Sequence, residues 1–232
     1  MDKKTYAQLE TYMLSCMEDA AHDREHIYRV LSYALKIAEG EPDVNYDILI
    51  TDCLLHDIGR KEQFADPKLC HAKVGSEKAY RYLLEQGFSE EFSEKVRRCI
   101  RQHRFRANDP PDTIEAKILF DADKLDVTGA MGIARTLQYQ SDVPEPLYRR
   151  DQQGHVLDGT EKEPSFLHEY KFKLEHIYDR FCTEKGKAMA MERQAAAVAF
   201  YESFLHEVRS AHRQGETRLG QLLNSSLLTD NS

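Results

Sequence analysis

The chain has 232 residues, 41% of them hydrophobic and 31% charged, with a formal net charge of −8 at pH 7. That is enough apolar material for one substantial core, or for one domain with a helical extension. The acidic balance speaks against a binder of nucleic acid or anionic membrane, whose phosphates would repel it, but not against a small phosphorylated substrate held by a local field.

In chain order, Tyr6, Leu9, Met13 and Met17 recur at helical spacing over residues 3–19. From Asp23, a candidate N-cap, the set Ile27, Val30, Leu31, Ala34, Leu35 and Ala38 predicts a second helix, stopped by Gly40 and Pro42. A third runs from Asn45 to Asp57 and closes at Gly59, and a fourth spans 72–86 and ends at Gly87. Ser89 to His103 is a fifth, on Phe92, Val96, Cys99 and Ile100. Asp112 opens a sixth, with Glu115 completing a capping box.

Residues 139–164 are polar and carry prolines; a loop of this length is commonly functional, and it is a candidate lid. Two more helices are expected near 165–182 and 187–212, the second burying Met191, Ala195, Val198, Ala199 and Phe204. From Gly215 the tail has few apolar anchors and should fray. No segment alternates with period two, so the chain reads as all-α.

The cysteines Cys16, Cys53, Cys70, Cys99 and Cys182 form no CxxC pair, which suits reduced thiols and a cytoplasmic protein; Cys53 and Cys99 read as core filler. The N-terminal MDKKTYAQLE lacks the apolar stretch of a secretory signal. No apolar run approaches the roughly 20 residues of a membrane span.

The chemistry-bearing positions are His26, the adjacent His56 and Asp57, Asp123, and His103. Each lies on or beside the apolar face of its helix. A buried aspartate beside a buried histidine is costly unless compensated, and a divalent cation compensates both. Each also has an ordinary reading. A lone histidine on such a face is usually a hydrogen-bonded core residue; His56 can cap its helix and Asp57 can pair with Arg60.

The segments HDREHIYRV, LLHDIGR, CIRQHRF and KILFDADKLDVTGAMGIART, in that order, resemble the HD superfamily of metal-dependent phosphohydrolases, in particular small stand-alone bacterial members. The resemblance implies an HD-domain helical bundle with a C-terminal helical extension. Its core would span 1–138, followed by the 139–164 loop, helices over 165–212 packed on the core, and a flexible 213–232 tail. It implies metal ligands at His26, His56, Asp57 and Asp123. Asp121 would be an outer-sphere or surface residue, and Asp126 a helix-end or substrate-side group.

Some members hold two metals through extra histidines, here His71 and His103. A single ion is the first expectation, with His71 an ordinary surface residue at a helix start. The cofactor would be a divalent cation (Mn, Fe, Ni, Co, Zn or Mg) that lowers the pKa of a water and polarises a phosphoryl oxygen. Asp57 would also accept a proton, and His22 or His103 would serve as general acid. Phosphate would be neutralised by Lys124 and Arg135, with Arg24 and Lys61 in support and Arg60 and Arg104 as further candidates. The expected partner is a small phosphorylated substrate, a nucleotide or other phosphate ester, and neither nucleic acid nor membrane. Two rivals are a di-iron oxygenase, which would need His71 and His103 as ligands, and a non-catalytic sensor of metal or nucleotide.

Overall fold

A computed structural model describes residues 1–17, 24–104, 109–142 and 145–226, without the side chains of 140–142 and 225–226. The expected N-cap Asp23 and general acid His22 lie outside the described residues. The regular structure of the described chain is all helical, and among the described residues the one extended pairing is an isolated bridge between Arg150 and Val156. Among the described residues, no helix is long and apolar enough to cross a membrane.

The chain divides into two compact units. The first comprises Met1–Asp126 with Asp179–Ala190, and the second Val127–Tyr178 with the chain from Met191 onward. The first unit therefore ends before the expected boundary at 138 and takes back a later segment.

In the first unit, α1 (Lys3–Cys16), α2 (Arg24–Ala38), α3 (Tyr46–Leu55), α5 (His71–Glu85), α6 (Glu90–Gln102) and α7 (Ile114–Leu125) build the core, and a short α4 (Arg60–Ala65) joins α3 to α5. Helix α3 buries Ile48, Leu49, Thr51, Asp52, Cys53, Leu54 and Leu55, leaving little polar face. Such a helix belongs in the middle of a core, and α3 packs against α1, α2, α5, α6 and α7. Its amphipathic neighbours turn Ile27, Val30, Ala34, Leu83, Val96, Ile100, Ile118 and Leu119 inward.

Capping differs from expectation at α7. Thr113 is the N-cap, its Oγ1 accepting from Ala116 N at 3.2 Å, while Asp112 pairs with Arg98. Glu115 does not complete a capping box; its Oε1 accepts from Asn45 N at 2.8 Å and ties the starts of α3 and α7 together.

Asp121 on α7 is fully buried and is not a surface group. Its carboxylate accepts from the Cys182 and Thr183 backbone N–H groups at 2.8 and 2.7 Å and from Thr183 Oγ1 at 2.7 Å. Thr183 Oγ1 in turn accepts from Gly186 N at 3.0 Å. This nest caps α10 (Glu184–Ser226), which starts earlier than expected; its described residues are helical past Gly215 as far as Ser226, and the rest of the tail lies outside the described residues.

The second unit contains α8 (Gly129–Asp142), α9 (Phe166–Glu169) and most of α10. Where one helix was expected near 165–182, α9 widens into a π turn, Tyr170–Leu174, and then a 3-10 turn, Ile177–Asp179. The core here is Ile133, Phe166, Leu167, Tyr170, Leu174 and Ala197, with Tyr201, Phe204 and Leu205 against it. The buried face of α10 is thus rotated from the expected one: Met191 and Val198 are 47% and 37% exposed. The large aromatic rings, with more area to bury, set that orientation. The 145–164 segment is pinned to α10 by Tyr148 Oη with His212 Nε2 at 2.9 Å, by Tyr201 Oη donating to the Asp158 carbonyl at 2.7 Å, and by Arg209 Nε donating to the Val156 carbonyl at 3.1 Å.

Candidate metal centre

Five helix ends meet in the first unit. His26 stands in the first turn of α2 and His71 begins α5; His56 and His103 are the C-cap residues of α3 and α6; Asp123 is in the last turn of α7, and Asp57 follows His56. The approach of α5 to the His56–Asp57 turn depends on Gly59. A Cβ there would lie 2.3 Å from the His71 carbonyl oxygen and 2.5 Å from Gly75 N, so no larger residue fits without moving His71.

The side chains form two groups. His26, His56 and Asp123 present ligand-type atoms within 4.8 Å of one another, and so do Asp57, His71 and His103. Within each group the two Nε2 atoms are 3.3 Å apart. Asp123 Oδ1 lies 3.2 Å from His26 Nε2 and 4.0 Å from His56 Nε2. Asp57 faces both groups: its Oδ2 is 3.6 and 3.8 Å from the Nε2 atoms of His26 and His56, and its Oδ1 is 3.5 and 3.7 Å from those of His71 and His103. Atoms sharing an ion at about 2.1 Å stand about 3–3.5 Å apart, close to this spacing.

The four rings are also oriented alike. His56 Nδ1 donates to the Cys53 carbonyl at 2.8 Å and His103 Nδ1 to the Ile100 carbonyl at 2.6 Å. His71 Nδ1 is 2.8 Å from Gln63 Oε1, whose amide is turned that way because its Nε2 donates to the Leu69 carbonyl at 3.2 Å. His26 Nδ1 is 2.8 Å from Asp126 Oδ2. Every Nδ1 is engaged outward, which leaves every Nε2 facing inward.

The electrostatics match. Burial lowers the pKa of His56 to about 4 and of His71 to about 2, and lowers that of His103. Burial also opposes charge on His26, but Asp123, Asp126 and Asp57 outweigh it and raise its pKa to about 9. Against the cost of burial, Arg60 and the surrounding histidines hold the Asp57 carboxyl well below the usual range. Asp123 is lowered as well, its burial outweighed by His26 above all. Asp57 Oδ1 is buried without a hydrogen-bond partner, although Arg60 Nε is 3.0 Å away as an ion pair. Converging imidazole nitrogens, those of His56, His71 and His103 held neutral, together with charged carboxylates suit divalent cations. Asp123, with its side chain 28% exposed, opens the cluster to solvent, whereas Asp57, His56, His71 and His103 are 5% exposed or less.

The structure thus brings together His26, His56, Asp57, Asp123 and His103, and adds His71, which is 2% exposed and no surface residue. The single-ion expectation accounts for only one of the two groups. His103 turns one ring nitrogen to the Ile100 carbonyl and the other to the cluster.

The expected phosphate-binding residues are scattered. The Lys124 ammonium lies 4.1 Å above the Phe120 ring, and burial lowers its pKa. Arg24 and Lys61 are exposed, and Arg135 sits on α8 in the second unit. Beside the cluster are Arg60 and Arg104, the latter with Nη1 3.3 Å from His71 Nδ1. The outward partners Gln63 and Asp126 carry no motif that would have assigned these roles. The one available signal was helical spacing, which places Asp126 three residues after Asp123.

The HD domain family model matches residues 24–128, the span that contains all six side chains of the cluster. The Bacillus subtilis protein YpgQ is 29% identical over 204 residues, 85% of this chain and 90% of that protein. The crystal structure of YpgQ in complex with ADP superposes with a TM-score of 0.68 at 27% identity, covering 88% of this chain and 95% of that one. An HD-superfamily hydrolase from Bacillus thuringiensis is 31% identical, with a TM-score of 0.66 and coverage of 88% and 97%. A Lactobacillus plantarum structure, 22% identical with a TM-score of 0.71, shares the fold.

Proposed function

This chain belongs to the HD superfamily, and on that premise we propose that it is a metal-dependent phosphohydrolase acting on a nucleotide or another small phosphate ester. The observation that carries the reading is the common orientation of the four rings, Nδ1 outward and Nε2 inward, around a carboxylate that turns one oxygen to each pair. His26, His56, Asp123 and Asp57 Oδ2 would hold one divalent cation, and His71, His103 and Asp57 Oδ1 a second. Such ions supply a water of lowered pKa and polarise a phosphoryl oxygen.

The protein's own groups do the rest. Asp57 spaces the two positions. Asp123, the most exposed of the six, faces incoming solvent. Arg60 and Arg104 provide the positive charge that an anionic phosphate needs, ahead of Lys124. The nucleotide preference draws support from YpgQ, whose crystal structure contains ADP.

The donor set also suits two irons, so a di-iron oxygenase is the second reading. The adjacent arginines favour the phosphohydrolase, because guanidinium groups bind phosphate and contribute little to dioxygen activation. The test is release of phosphate or pyrophosphate from a panel of nucleotides and small esters after loading with Mn, Co, Ni or Mg. Turnover abolished by EDTA and restored by metal is expected. No metal-dependent product, from protein that carries iron and consumes oxygen, would replace this reading with the oxygenase.

A further inference from the structure

Of the four inward-facing histidines, His26 alone leans on a carboxylate; the outward nitrogens of the other three meet two backbone carbonyls and, at His71, the Gln63 amide oxygen with Arg104 Nη1 3.3 Å away. That carboxylate, Asp126, is the C-cap residue of α7 and is fully buried. Its Oδ2 lies 2.8 Å from His26 Nδ1 and accepts from Arg29 Nη2 at 2.9 Å, and its Oδ1 accepts from Arg29 Nε at 2.6 Å. His26 and Arg29 are three residues apart on α2, so they share a face and meet one partner together.

Resting on the metal-centre reading above, we infer that Asp126 and Arg29 are a positioning pair for His26. They keep the ring proton on Nδ1, aim Nε2 at the ion, and hold the first turns of α2 against the end of α7 so that His26 and Asp123 converge. The tautomer of a ligating imidazole is set by the hydrogen bond at its other nitrogen, and a carboxylate there also makes the ring a stronger donor to the metal. Arg29 clamps both oxygens of Asp126, so the carboxylate cannot swing away from the ring. Burying the Asp126 carboxylate at this place is costly, and Arg29, whose side chain is 25% exposed, must be held over it to offset that cost. The other three rings are satisfied without one. The pair therefore acts on His26 in a way that a neutral acceptor would not.

The experiment uses the full chain with Asp126→Asn, Asp126→Ala, Arg29→Ala and Arg29→Lys. Affinity for zinc and manganese is read by competition with a chromophoric chelator. In zinc-loaded protein the His26 Nδ1 proton is followed by NMR, a signal that a merely structural role would leave alone. Loss of affinity of about 10- to 100-fold is expected for Asp126→Ala. A smaller loss is expected for Asp126→Asn, whose amide oxygen still accepts, and partial recovery in Arg29→Lys relative to Arg29→Ala. The Nδ1 proton should lie far downfield in the parent and move upfield in Asp126→Asn. If Asp126→Ala does not fold, the Asn and Arg29 variants decide the matter. Parent-like affinity and an unmoved resonance in Asp126→Asn and Arg29→Ala would overturn the inference while leaving the metal centre standing. A parent protein that binds no divalent metal would overturn the metal-centre reading itself.

Discussion

Asp52 and Asp57 stand five residues apart, one inside α3 and one just past its end, and both are buried to within a few per cent. Both Asp52 oxygens lack a hydrogen-bond partner within hydrogen-bonding geometry, and burial, helped by the nearby Glu115 carboxylate and only partly opposed by Cys99 and Cys53, pushes its pKa well above the ordinary carboxyl value. Asp57 is held well below that value despite equal burial, because Arg60 and the histidines surround it. Burial alone therefore does not mark a functional acid. The neighbours decide whether the buried group is a neutral piece of core or a charge waiting for a counter-charge.

The comparison breaks first at Asp57. Asp57→Ala should remove most bound metal and abolish turnover, because one side chain serves both groups, while Asp52→Ala should keep its metal. Metal per chain by mass spectrometry checks this; full stoichiometry in Asp57→Ala would remove the case for the centre.

Next in size is the division between the two groups. His71→Ala should lose about half the bound metal and most activity, since that group retains only His103 and one oxygen of Asp57. Unchanged metal content in His71→Ala would restore the single-ion reading.

A third expectation concerns protons. Without metal, His26 titrates at about 9 because Asp123, Asp126 and Asp57 stabilise its charged form against the cost of burial. A cation must displace its Nε2 proton, so affinity should weaken as pH falls below about 9, by up to about tenfold per pH unit. Near pH 7.5 binding should release about one proton, read by calorimetry in buffers of different ionisation enthalpy.

The smallest effect is on Asp52. Its folded pKa lies above the unfolded value of about 4. Below that value both states are protonated and the residue contributes nothing to the pH dependence. As pH rises the unfolded state gives up its proton first, and the fold loses stability until the folded pKa is passed. Asp52→Asn removes this loss, so the variant should gain on the parent between pH 5 and pH 7 in urea unfolding of metal-free protein. A difference independent of pH would mean that Asp52 titrates normally.

The helices over 24–38, 46–55, 71–85 and 90–102 were legible in the residues because apolar periodicity and caps are local. So were His26, His56–Asp57 and Asp123 as a set, although that rested on the ordered motifs more than on spacing. The residues did not disclose that His71 turns inward. That depends on Gly59 letting α5 close on α3, a contact between segments that no helical pattern records. Nor did they disclose that Asp126, three positions beyond Asp123, grips α2 through His26 and Arg29. Lys124, chosen for its place beside Asp123, turned instead over Phe120, since adjacent residues on a helix point about 100° apart. Periodicity determines which face of a helix is buried. Which helix ends meet, and which side chains converge there, is decided only when the chain packs.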